Sequence, residues 1–138
     1  MARPRRQLSE VFHLTAEYWP FARTGGLGQA VAGLAAFQAG MGLPTTVVVP
    51  LYRAAHQLQP TLEAHGEPLT VAVGPTREEV HVRRLKSGKG KPRVLFIDHP
   101  ASFDRAGIYG EAGVDYGDNA RRFALFCLAA LELVARES

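Results

Sequence analysis

Residues Thr45 to Pro50 read Thr-Thr-Val-Val-Val-Pro, a β-branched run with no polar alternation. A strand that is apolar on both faces must be covered on both, which places it inside a parallel sheet flanked by helices. What precedes it agrees. Val11-Phe12-His13-Leu14 is a second short apolar run, and from Leu27 to Met41 the residues Leu27, Ala30, Val31, Leu34, Phe37 and Met41 recur at three- and four-residue spacings, closed by Gly40, Gly42 and Pro44. Strand, helix and buried strand in this order form a βαβ unit with a right-handed connection. The expected fold class is therefore α/β, a Rossmann-like, doubly wound and mostly parallel sheet.

Further along, Leu69 to Val73 reads as one short strand, and Glu79 to Leu85 alternates apolar and polar residues like an edge or hairpin strand. Lys86 to Pro92 is a turn. Val94-Leu95-Phe96-Ile97 is another continuous apolar strand, and it delivers Asp98-His99-Pro100 to the carboxyl edge of the sheet. A long loop rich in Gly and Asp is expected from Ala101 to Gly117. Asp118 or Asn119 can cap a final helix whose apolar stripe is Phe123, Phe126, Cys127, Ala130, Leu131 and Val134. The chain shows no internal repeat, low-complexity tract or linker.

With 138 residues, 46% of them hydrophobic and 21% charged, the chain is one globular domain at most, and neither a disordered tail nor a fibrous repeat. Sixteen Lys and Arg against thirteen Asp and Glu leave a net charge of only +3. The basic cluster from Arg77 to Arg93 lacks interleaved exposed aromatics and reads as a solvated hairpin, so no nucleic-acid partner is expected. The single Cys127 excludes an internal disulfide and any all-cysteine metal site; inside an apolar helical pattern it reads as a buried, inert thiol suited to a reducing compartment. Met1 to Arg6 is basic, but no apolar run of signal-peptide or membrane-span length follows it. The expected localisation is cytoplasmic, with no membrane partner.

The segment richest in chemistry is Glu17-Tyr18-Trp19-Pro20-Phe21-Ala22-Arg23-Thr24-Gly25-Gly26-Leu27-Gly28-Gln29, between the first strand and the first helix. A glycine pair lets backbone approach a ligand closely, and the N–H groups and dipole at a helix start favour a phosphate. The same glycines also suit a plain turn into the helix. Gly26-x-Gly28 is followed by Val31 where a dinucleotide fingerprint has its third glycine, and no phosphate-loop sequence with Gly-Lys-Ser/Thr occurs. Arg23 can pair with a phosphate oxygen or stand as a solvated charge. The five histidines show no close metal-ligand spacing, and only His99, after a strand at the carboxyl edge, is placed for substrate contact. Asp98, Asp104, Asp115 and Asp118 can bond sugar hydroxyls or cap turns and helices.

Three blocks, His13-Leu14-Thr15-Ala16-Glu17, Ala22-Arg23-Thr24-Gly25-Gly26-Leu27-Gly28 and Val47-Val48-Val49-Pro50-Leu51-Tyr52-Arg53, resemble the opening of bacterial glycogen synthases and plant starch synthases. Phe103-Asp104-Arg105-Ala106-Gly107-Ile108-Tyr109-Gly110 and Asp115-Tyr116-Gly117-Asp118-Asn119-Ala120-Arg121-Arg122-Phe123-Ala124 resemble that family's next signature, in the same order. The resemblance implies a retaining glycosyltransferase of the GT-B architecture, two Rossmann-like domains facing each other, that transfers glucose from ADP-glucose to the non-reducing end of an α-1,4-glucan. It implies a basic extension over residues 1–9 and an incomplete N-terminal catalytic domain over residues 10–138. No cofactor is implied, ADP-glucose being a substrate.

By residue matching, the substrate-binding loop is Arg23, Thr24, Gly25, Gly26 and Leu27, followed by Gln29; His99 at the carboxyl edge and Tyr109 in the second signature complete the expected substrate-binding set. Arg23 stands where the family carries Lys, and Gln29 where it carries an acid, so the backbone at Gly25, Gly26 and Leu27 is expected to matter more than the Gln29 amide. The catalytic charges belong to a second domain, so the chain alone is expected not to turn over. Two rival readings stay open: a non-catalytic nucleotide- or glucan-binding remnant, and a related GT-B transferase with another donor.

Overall fold

A computed structural model describes residues 9–137, so the basic stretch Met1 to Arg6 lies outside the described residues. The βαβ unit forms as expected: β1 (Val11–Leu14), α1 (Leu27–Gly40) and β2 (Thr45–Pro50). Every residue of β2 is buried, as its unalternating sequence requires. It pairs in parallel with β1 on one side and with β6 (Arg93–Asp98) on the other.

Beyond β6 the sheet turns antiparallel. β5 (Thr76–Leu85) pairs with β6 through His81–Arg84. Along β5, β4 (Leu69–Val73) pairs with the first half as a hairpin closed by Gly74-Pro75, and β3 (Leu62–Ala64) pairs with the second half. The alternation in β5 is that of a strand with one buried face, since Val80 and Val82 point into the core while Arg77 and Glu79, on the other face, are exposed. β5 nevertheless sits inside the sheet, between β6 and β3, and is not an edge.

The core is the layer between this sheet and α4 (Asn119–Glu137), whose Leu125, Ala129 and Leu133 are fully buried; α4 lies chiefly against β4 and also meets β1 and β6. One expectation is corrected on the helices. Cys127 is exposed, because α4 buries Leu125, Phe126, Ala129, Ala130 and Leu133, and Cys127 falls on the opposite side with Leu128 and Leu131. The helix is apolar on more than one face, so periodicity alone could not orient it. On α1 the buried residues are the small Gly28 and Ala35, with Val31 and Ala32 partly buried against the core, while Leu27, Leu34, Phe37 and the following Met41 are between 47% and 69% exposed.

The expected loop from Ala101 to Gly117 contains structure of its own. α3 (Pro100–Phe103) begins at a proline in the first turn, and β7 (Gly110–Glu111) pairs with β8 (Val114–Asp115) across Ala112-Gly113. Both turn residues have positive φ, 50° and 77°. Alanine rarely signals that conformation, which hid the hairpin in the sequence. A short α2 (Arg53–Gln57) follows β2 and was likewise unmarked.

Candidate functional site

In a parallel sheet, ligands bind where loops leave the carboxyl ends of the strands. The loops after β1, β2 and β6 all leave the same edge, and three segments meet there: residues 15–28, residues 51–53 and residues 99–118.

The loop after β1 doubles back on itself. Tyr18 and Ala22 exchange backbone hydrogen bonds of 2.9 and 2.8 Å, and the Trp19 N–H donates to the Gly28 carbonyl at 3.1 Å. Gly28 must be glycine, because a Cβ there would stand 2.9 Å from the Ala22 carbonyl oxygen. Gly25 and Gly26 differ from it. Gly26 has an ordinary helical φ of −76°, and a Cβ at either position would meet nothing within 4 Å. Neither packing within the chain nor backbone conformation asks for glycine at 25 and 26, so what they leave is open space in front of the helix start.

Glu17 organises this loop. Its Oε1 accepts the N–H of Thr24 at 2.8 Å and that of Gly25 at 3.4 Å, and its Oε2 accepts the Tyr109 hydroxyl at 2.7 Å. Glu17 is only 5% exposed. Burial pushes its carboxyl upward, but the donors of Thr24, Tyr109 and Gly25 together outweigh that and hold it below the usual carboxylate range. The Tyr109 hydroxyl is correspondingly pushed up, by burial and by its bond to Glu17. Glu17 thus joins the glycine loop to the segment carrying Tyr109. Between Thr24 and residues 107–110 and 113–115 lies an open cleft of about 310 Å³.

The Tyr109 segment is fixed from behind by α4. The Asn119 side-chain amide donates to the Tyr109 carbonyl at 2.9 Å. Arg122, 1% exposed, donates from Nε to the Ser102 carbonyl at 2.6 Å and from Nη1 to the Ile108 carbonyl and Asn119 Oδ1 at 2.9 and 2.8 Å. Its guanidinium is flanked by the rings of Phe103, Tyr116 and Phe123, and no carboxylate among the described residues touches it. Asp118, expected to cap α4 with its side chain, opens the helix with its carbonyl instead; its carboxylate takes both Nη groups of Arg105 at 2.7 Å.

The structure brings Thr24, Gly25 and Tyr109 together through Glu17. Arg23, Gly26, Leu27 and Gln29 lie exposed along the same loop and first helical turn. The Arg23 guanidinium carbon lies 4.8 Å from the ring centroid of Trp19, and among the described residues it has no hydrogen bond or ion pair. His99 stands apart: it is 9% exposed, with Nδ1 2.8 Å from Ser102 Oγ and Nε2 3.2 Å from Glu78 Oε2. Both ring nitrogens are thus engaged within the chain. Sequence reasoning missed Glu17 and Arg122 as organisers. The signal for Glu17 was an acid a few residues before a glycine-rich turn, and for Arg122 a cation on the buried side of an apolar helix. Among the described residues no group of three or more His, Cys, Asp or Glu side chains is gathered as for a metal ion, and no helix is long and apolar enough to cross a membrane.

A parallel βαβ core with a glycine-opened crevice at its carboxyl edge, extended by an antiparallel hairpin, is a Rossmann-like α/β fold of the kind found in GT-B catalytic domains. The catalytic domain of starch synthase IV from Arabidopsis thaliana, solved bound to ADP and acarbose, superposes on 95% of this chain with a TM-score of 0.75 and 28% identity. The chain belongs to the starch synthase catalytic domain family, whose model matches residues 10–138. It is 35% identical over 133 residues to a glycogen synthase of Anaeromyxobacter dehalogenans and 32% identical over 127 residues to glycogen synthase 2 of Geobacter sulfurreducens, covering 91% and 92% of this chain. The chain spans about a quarter of the length of these relatives, 25% and 26%.

Proposed function

We propose that this chain is the donor-side opening of a glycogen or starch synthase that transfers glucose from ADP-glucose to the 4-hydroxyl at the non-reducing end of an α-1,4-glucan. The observation that carries the proposal is Arg23, an exposed cation without a carboxylate partner, set beside two glycines that the chain's own packing does not require. A departing nucleoside diphosphate gathers negative charge as the glycosidic bond breaks, and a fixed cation placed against it stabilises that charge most where it develops.

The amides divide the work. Glu17 already occupies the N–H groups of Thr24 and Gly25, so the anion falls to Arg23 and to the helix-start N–H groups beyond them, which have no carbonyl a turn earlier to bond. Glu17 holds the loop, Tyr109 holds Glu17, and α4 holds the segment bearing Tyr109. His99, engaged by Ser102 and Glu78, would reach a substrate only by giving up one of those contacts. The reaction needs no cofactor from this chain, since the donor is a substrate. The further pyrophosphate contacts and the catalytic groups that complete the cleft lie in the remainder of the enzyme, and the cytoplasm, where sugar nucleotides are made, is its compartment.

The experiment is a transfer assay with labelled ADP-glucose and a glycogen primer, run on the full-length protein and on the 138-residue chain. The expected result is primer-dependent incorporation by the full-length protein and none by the chain alone. Incorporation from UDP-glucose in preference to ADP-glucose would replace the donor assignment. No incorporation from either would overturn the reading.

A further inference from the structure

Trp19 is the only tryptophan in the sequence, and it stands 44% exposed on the loop after β1 with its own N–H tied to the Gly28 carbonyl. Its ring carries the Arg23 guanidinium, with the carbon 4.8 Å from the centroid. Arg53, Arg83, Arg93, Arg105 and Arg121 each bond a carboxylate. Arg23, like the buried Arg122, has a ring in place of an acid, but unlike Arg122 it is exposed and bonds no carbonyl among the described residues. That exchange has a chemical consequence. A carboxylate uses up in-plane N–H donors and cancels the charge, whereas an aromatic face engages the flat side of the guanidinium and leaves both the charge and the donor edge free.

We infer that Trp19 is a positioning residue: it sets the plane of Arg23 so that the free edge meets two oxygens of a nucleoside diphosphate in the space before Gly25 and Gly26. This rests on the donor-site reading of Arg23 given above. The plane matters only for a planar cation. An ammonium is a point charge with rotatable donors and takes no orientation from a ring, so the contribution of Trp19 depends on residue 23 being arginine.

The test is ADP titration of the 138-residue chain, followed by Trp19 emission and by the amide signals of Gly25 and Gly26, with adenosine as the control lacking phosphate. ADP should shift both signals and adenosine neither. Trp19→Leu should weaken ADP binding about two- to fivefold, the effect of losing one exposed cation–π contact, with the thermal midpoint unchanged. Trp19→Phe, which keeps an aromatic face, should recover part of the loss and guards against a folding defect in the leucine variant. In an Arg23→Lys background the same Trp19→Leu change should alter affinity by less than about twofold. Equal ADP affinity in wild type and Trp19→Leu, or an identical loss in the arginine and lysine backgrounds, would overturn the role of Trp19 while leaving the donor site standing. A folded wild-type chain whose Gly25 and Gly26 amides ignore ADP would overturn the donor-site reading, and this inference with it.

Discussion

At the scale of single residues, Glu17 shows how a buried charge is made tolerable. Two amides and a tyrosine hydroxyl surround its carboxylate, each favouring the ionised form against the cost of burial. Its folded pKa lies below its unfolded one, so the unfolded chain binds the proton more readily. The stability this contributes is present above the ordinary pKa of 4.5 and is lost as pH falls through the lower folded value. In an NMR titration the Thr24 and Gly25 amide protons should therefore move together with a midpoint below 4.5, and Tyr109→Phe should raise that midpoint by removing one donor. Amides that titrate independently of each other would contradict the shared carboxylate. Arg122 makes the opposite case of a buried cation held by carbonyls and rings. Arg122→Ala should cost about 3 kcal/mol in chemical denaturation, since it opens a cavity and strands the carbonyls of Ser102 and Ile108. A loss below about 1 kcal/mol would show those contacts to be dispensable.

At the scale of elements, two kinds of glycine occupy the site and should respond differently. At Gly110 a Cβ would fall 2.1 Å from the Val114 carbonyl oxygen, so Gly110→Ala should break the β7–β8 hairpin and lower the thermal midpoint by several degrees. Gly25→Ala meets open space and should leave stability within about 0.5 kcal/mol of wild type while impairing ADP binding. Equal destabilisation by both would remove the distinction. The elements also show what sequence reveals. β1, β2 and β6 were legible because a buried parallel strand can be written only in apolar residues, and α1 because its period is unbroken. The β7–β8 hairpin was hidden by Ala112 at a positive φ, and β3 by its three short residues, Leu-Glu-Ala. The face of α4 was misjudged because apolar residues line both sides of it, which left Cys127 exposed. Native chain should accordingly react with one equivalent of a thiol reagent without prior unfolding, and a thiol protected until denaturation would contradict this orientation. In the candidate site, the positions of Arg23 and the glycines were legible from their place between strand and helix. The partner of Thr24 and Gly25 was not, because Glu17 reaches them through a fold-back that no local pattern announces.

At the scale of the whole molecule, the two edges of the sheet differ. The amino edge of the sheet is clamped: Arg93 bonds Glu137 at 2.9 Å and Glu10 at 3.4 Å, and His65 meets the same Glu137. Burial raises the Glu137 carboxyl, but His65 and Arg93 outweigh it and hold the group low. With Glu17 and Asp118 also held below their ordinary values, the chain should lose stability as pH falls below about 4.5, protonation favouring the unfolded state at each site. The carboxyl edge is open. There Arg23, Trp19, Gly25 and Gly26 are exposed. The measurement that tests this account most directly is the steady-state kinetics of ADP-glucose transfer by the full-length protein with Arg23→Ala. On the proposed donor role, loss of the Arg23 cation should lower kcat/KM for ADP-glucose by about 10²-fold, with the thermal midpoint unchanged. An Arg23→Ala enzyme with wild-type kcat/KM would remove Arg23, and the crevice built around it, from the donor site.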